Sequence, residues 1–88
     1  MVNAVGYDGQ VAAIHSAIAQ LTALTGARPR VTEEPHAVLI EIDVTEPAAR
    51  HWSSFVAILD LGTTFGLTDT QTGQVAWLRF ESGEDARP

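Results

Sequence analysis

The chain of 88 residues contains no cysteine and no lysine. Without cysteine it can form neither a disulfide nor a thiolate metal site, and it has no cysteine nucleophile. Its five basic residues are all arginine, and it has eleven acidic residues, so the net charge is −6. Because phosphate contacts need an excess of lysine and arginine, this balance disfavours direct binding to nucleic acid or to an anionic membrane surface.

Long hydrophobic segments are also missing from the sequence. The longest uninterrupted apolar run is FVAIL at residues 55–59, far below the roughly 20 residues that cross a bilayer. The N-terminal stretch MVNAVGYDGQ lacks the basic region and apolar core of a signal peptide. We therefore expect a cytoplasmic protein without a membrane partner.

The length and composition indicate one small folded domain. Hydrophobic residues make up 45% of the chain, which is in the normal range for globular proteins. We expect a single α+β domain over residues 1–81, with a loosely ordered N-terminus at 1–7. Residues 82–88 are polar and acidic, and we expect them to form a flexible tail.

Two segments have the apolar spacing of helices. Apolar residues recur every three or four positions over residues 9–25, where Asp8 is a candidate N-cap and Gly26 a candidate stop. A second helix is expected from Thr45, as its cap, to Gly62, as its end. Its expected core stripe comprises Ala48, Ala49, Trp52, Phe55, Val56 and Leu59.

Two further segments alternate as strands do. In the first, a short edge strand at 27–32 is expected to pair with a strand at 37–44 about a Glu34–Pro35 turn, with Val31 opposite Val38. In the second, residues 65–81 fold about a Gln71–Thr72 turn. That register sets Phe65 opposite Leu78 and Leu67 opposite Ala76 on the inner face of the sheet.

The resulting order, αββαββ, predicts a two-layer α+β sandwich. Two helices cover one face of a mostly antiparallel four-stranded sheet, and the other face stays open. The central residues of the open face are expected to be Leu39, Glu41, Val75, Trp77 and Arg79, with Trp77 lying across Gly66. Glu41 is expected to pair with Arg28 or Arg79. An exposed tryptophan among apolar residues, surrounded by ion pairs, is typical of an interface, although Trp77 can also simply cover its own chain.

No catalytic or metal-binding pattern stands out. The three histidines, His15, His36 and His51, do not share a ligand motif. The segment GTTFG at 62–66 follows a predicted helix and lacks the lysine of a phosphate-binding loop. We predict no catalytic residue, cofactor or metal.

Three functions remain open at this point. The first is a non-enzymatic module that binds a protein partner or forms a homodimer through the open sheet face. The second is an acidic inhibitor of a basic partner, such as a DNA-binding protein, whose binding would weaken with salt. The third is a small-molecule-binding domain with a pocket between sheet and helices.

Overall fold

A computed structural model describes residues 2–81, with side chains from residue 10 onward. Three α-helices and four β-strands follow one another as α1 (Val2–Thr25), β1 (Arg30–Glu34), β2 (Ala37–Asp43), α2 (Glu46–Arg50), α3 (Trp52–Leu59), β3 (Thr64–Thr70) and β4 (Gly73–Glu81). The expected tail at 82–88 lies outside the described residues.

Helix α1 begins earlier than the sequence predicts. It starts at Val2, so Asp8 lies within the helix and is not its N-cap. The added segment contains no proline, and a helical glycine such as Gly6 costs only about 1 kcal/mol, so nothing stops the helix upstream. Its end is as predicted: Gly26 has φ 74° and donates its N–H to the Thr22 carbonyl at 2.9 Å. Whether residues 1–7 are loosely ordered stays a prediction.

The predicted second helix is two helices with a break at His51. The hydroxyl oxygen of Thr45 caps α2 as expected by accepting from the Ala48 N–H at 3.5 Å. His51 then leaves helical geometry, with φ −112° and ψ 50°. Two members of the predicted core stripe do not join the core: Ala49 is exposed, and Trp52, just after the break, is 40% exposed. Phe55 is fully buried, as predicted.

Gly62 follows α3 for a reason other than helix termination. The helix ends at Leu59, and the N–H groups of Leu61 and Gly62 donate to carbonyls three residues back. A Cβ at Gly62 would lie 3.0 Å from the Arg79 carbonyl oxygen and 3.1 Å from Leu78 Cβ. Glycine thus leaves room for the chain to pass close to β4.

The four strands form one antiparallel sheet in the order β1-β2-β4-β3. Helix α1 contacts β2 and α3 contacts β4, which confirms the predicted two-layer α+β sandwich. The core lies between the layers and consists of Ala17, Leu21, Ile40, Ile42, Ala48, Phe55, Ile58, Leu59, Ala76, Leu78 and Phe80.

The second hairpin has the predicted register, whereas the first is shifted. Leu67 lies opposite Ala76 and Gly66 opposite Trp77, as expected. In the first hairpin Val31 lies opposite Ile40 instead of Val38, because the turn is at residues 35–36. The pairing is thus shifted by two residues along β2. With this shift Pro29, which has no N–H to donate, lies outside the strand pairing. A shift of two also keeps each residue on its predicted face.

Apolar residues on the two edge strands are more exposed than predicted. Phe65 and Leu67 of β3 are 40% and 43% exposed, and Val31 of β1 is 47% exposed. The helices cover the central pair β2 and β4, where Ile40 and Leu78 are fully buried. The helical layer is thus narrower than the sheet, and both edges of the sheet extend beyond it.

Candidate interaction face

The five residues predicted from sequence come together on the side of the sheet away from the helices, which we call the outer face. Leu39 lies opposite Arg79, and Glu41 opposite Trp77, across the β2–β4 pair. Val75 lies two residues before Trp77 on the same face of β4. Each of the five is half-buried. The structure therefore places them side by side on the two central strands.

Trp77 lies across the neighbouring edge strand. A Cβ at Gly66 would be 2.8 Å from Trp77 Cζ2, so the indole lies directly over the glycine, as the sequence predicts. The guanidinium carbon of Arg79 is 5.7 Å from the centroid of the Trp77 ring, within cation–π range. These two contacts place the indole over β3, half-buried on the outer face.

Two ion pairs surround the apolar centre of the outer face. Arg79 on β4 reaches across β2 and donates from Nε to Glu34 Oε1 on β1 at 3.2 Å. Arg30 Nη1 lies 3.5 Å from Asp43 Oδ1. Both side chains of the Arg79–Glu34 pair are about one-third exposed, so its contribution to stability is at most about 1 kcal/mol.

The prediction that Glu41 forms an ion pair with Arg28 or Arg79 is wrong. Among the described residues, the ion pairs of this face join Arg79 to Glu34 and Arg30 to Asp43, and Arg28 pairs with no carboxylate. The sequence reasoning missed Glu34 because it assigned this residue to the turn. A register shifted by two moves Glu34 into β1 and Arg30 opposite Glu41. Net charge at the centre of the face remains small, since two arginines offset two of the three carboxylates there.

Two grooves in the described part of the chain border the helices. One, of about 730 Å³, separates α1 from α2 and α3 and is lined by Leu24, His51 and Ile58 among others. The second, of about 310 Å³, lies beside the first hairpin, where Glu33, Glu34 and His36 border an apolar floor that includes Ile14 and Phe80. Within the described part of the chain, no three His, Asp or Glu side chains converge as metal ligands.

Comparisons with known proteins add no functional information. No family model matches the chain, and no curated protein or solved structure is significantly similar to it. None of the helices in residues 2–81 combines the length and the apolar character that a membrane crossing requires.

Proposed function

We propose that this protein is a non-enzymatic interaction module that binds a second copy of itself through the outer face. One observation carries the proposal: Leu39, Val75 and Trp77 are apolar, half-buried and on one face of the two central strands, with Leu39 diagonal to Trp77 across the strand pair. The described helices all pack on the other face of the sheet. A sheet face with a tryptophan and an arginine at its centre and ion pairs around it has the composition of an interface core.

The size of the domain favours such an association. A chain of 88 residues buries only about 60–65% of its unfolded surface, so its own core leaves a small margin of stability. Burial of apolar area contributes about 25 cal/mol per Å². A two-fold contact, in which both copies use the same patch, is the commonest way for a soluble protein to obtain this burial.

The acidic-inhibitor function is less well supported. Of the carboxylates that it would use, Glu34, Asp43 and Glu46 are engaged by arginines of the same chain, the last by Arg50 at 3.1 Å. Pairing lowers the negative potential that they offer to a basic partner. The small-molecule function rests on the groove beside the first hairpin, where one of the two bordering carboxylates, Glu34, is already bound to Arg79.

The test is the substitution Leu39→Glu, which replaces an apolar side chain at the centre of the proposed contact with a carboxylate. We expect the dissociation constant for self-association to rise at least tenfold, measured by sedimentation equilibrium over a concentration series. The control is Ala49→Glu, which adds the same charge at an exposed position of α2 and should leave the constant unchanged. Equal constants for both variants and the wild type would contradict the proposal.

A further inference from the structure

We infer that β3 pairs edge to edge with β3 of a second copy, antiparallel and centred on Gly66. Strand β3 is at one edge of the sheet, so alternate N–H and C=O groups along it point away from β4 and have no strand partner within residues 2–81. It has seven residues, no proline and one charged residue, Asp69. Such an edge is a template for another strand.

The opposite edge is protected against this kind of pairing. Strand β1 has five residues, of which Arg30, Glu33 and Glu34 are charged. It lies between Pro29 and Pro35, neither of which can donate to a strand partner. Charges, prolines and short length are the features by which proteins block edge pairing. The two edges therefore differ, and β3 is the open one.

The sequence of β3 is complementary to itself about Gly66. A two-fold axis at Gly66 sets Phe65 of each copy opposite Leu67 of the other, and these side chains are 40% and 43% exposed in the single chain. The same axis sets Thr64 opposite Thr68 of the second copy on the outer face. Apolar pairs and threonine pairs directly across from each other are both favourable in antiparallel sheets.

The pairing of apolar and charged side chains favours this register over its neighbour. Centred on Gly66, the pairing sets Asp69 opposite Thr63 of the second copy, so that no carboxylate faces another in a chain of net charge −6. Asp69 also accepts a hydrogen bond from Gln74 Nε2 at 3.0 Å in its own chain. Centred on Leu67, the pairing would instead set Asp69 opposite Phe65 and keep one apolar pair, Leu67 with Leu67, in place of two.

This contact is separate from the one proposed above. The axis is perpendicular to the sheet, so both helical layers lie on one side and the two outer faces join into one eight-stranded surface. Trp77 of each copy, lying over its own Gly66, would then lie beside the axis. Leu39 is two strands away from β3 and takes no part in the edge contact.

Cysteine cross-linking tests the register, because the chain has no cysteine of its own. A mixture of Thr64→Cys and Thr68→Cys chains should oxidise to a disulfide dimer, since opposite residues have Cα atoms about 5 Å apart. Either variant alone should cross-link at least tenfold less, because its two cysteines would be about 13 Å apart along the strands. Equal cross-linking in mixture and single variants, or none in any, would overturn the inference.

Two substitutions at the edges complete the test. Leu67→Lys in both cysteine chains should reduce the mixed cross-link at least tenfold, whereas the matched change Val31→Lys at the other edge should leave it intact. Leu39→Glu should also leave it intact, which separates failure of the edge contact from failure of the outer-face contact. A cross-link that persists in the Leu67→Lys chains would contradict the inference.

Discussion

Among single residues, Gly62 and Gly66 occupy crowded positions with different kinds of neighbour. The space beside Gly62 is limited by the Arg79 and Thr64 carbonyl oxygens at 3.0 and 3.2 Å from an added Cβ. The space above Gly66 is filled by the far end of one side chain, Trp77. Backbone atoms of a paired strand move less easily than an indole on an open face, so the two glycines should respond differently to the same substitution.

Gly62→Ala is expected to destabilise the fold by about 1–3 kcal/mol, the usual cost of an extra methyl group where the surroundings cannot relax. The smaller unfolded-state entropy of alanine offsets only about 0.4–1 kcal/mol of this. Urea denaturation gives the free energy of unfolding for variant and wild type. A variant as stable as the wild type would show that the loop before β3 adjusts freely.

Gly66→Ala should mainly move the indole and change stability by less than about 1 kcal/mol, because the steric cost and the entropic gain nearly cancel. The measurement is the tryptophan emission spectrum in a Trp52→Phe background, where Trp77 is the one remaining tryptophan. We expect a shift to longer wavelength as the indole leaves the sheet surface. An unchanged spectrum would contradict the close contact between Trp77 and Gly66.

Between elements, the hydroxyl of Thr45 joins the end of α1 to the start of α2. Its Oγ1 donates to the Thr25 carbonyl at 3.0 Å and accepts from the Ala48 N–H at 3.5 Å. Thr25 is itself buried and donates its hydroxyl to the Leu21 carbonyl at 2.7 Å. One side chain thus caps a helix and fixes the packing of two helices.

Thr45→Val keeps the shape of this side chain and removes both hydrogen bonds. We expect a loss of about 1–2 kcal/mol in the free energy of unfolding, because a cap and a carbonyl partner are lost together. Thr45→Ser keeps the hydroxyl and should recover most of that loss. If the valine variant unfolds at the wild-type urea concentration, the junction does not depend on the hydroxyl.

The hairpins show how much of the fold can be predicted from sequence and where prediction stops. Strand alternation and the turn at 71–72 suffice for the second hairpin, because Gly73, with φ 149°, and a two-residue turn fix its register. In the first hairpin the alternation fixes the faces, but not which pair of residues forms the turn. The break at His51 could not be predicted, since the apolar spacing on either side of it also fits a continuous helix.

The same limits apply to the candidate site. Alternation alone placed Leu39, Glu41, Val75, Trp77 and Arg79 on one face. Their contact depends on β2 lying beside β4, and the sequence left this strand order open. The Arg79–Glu34 pair spans three strands. Predicting it would therefore require both the strand order and the shifted register of the first hairpin. Predicting that Phe65 and Leu67 are exposed would require the width of the helical layer. That width depends on how the helices pack.

For the whole molecule, the net charge of −6 opposes self-association, whereas the proposed contacts are largely apolar. Raising the salt concentration from 0.1 to 1 M shortens the Debye length from about 10 to 3 Å. Screening should therefore strengthen self-association, with a lower dissociation constant at high salt in sedimentation experiments. A marked weakening would instead indicate that the two copies meet through charged groups.

The central claim is that the outer face buries a second copy, and the Leu67→Lys chain tests it most directly because the edge contact is removed. The measurement is the molar mass of this variant by sedimentation equilibrium across a wide concentration range. We predict that the mass rises with concentration from the monomer value of 9.4 kDa toward twice that value, and that adding Leu39→Glu abolishes the rise. A mass that stays at the monomer value at each concentration would contradict the claim.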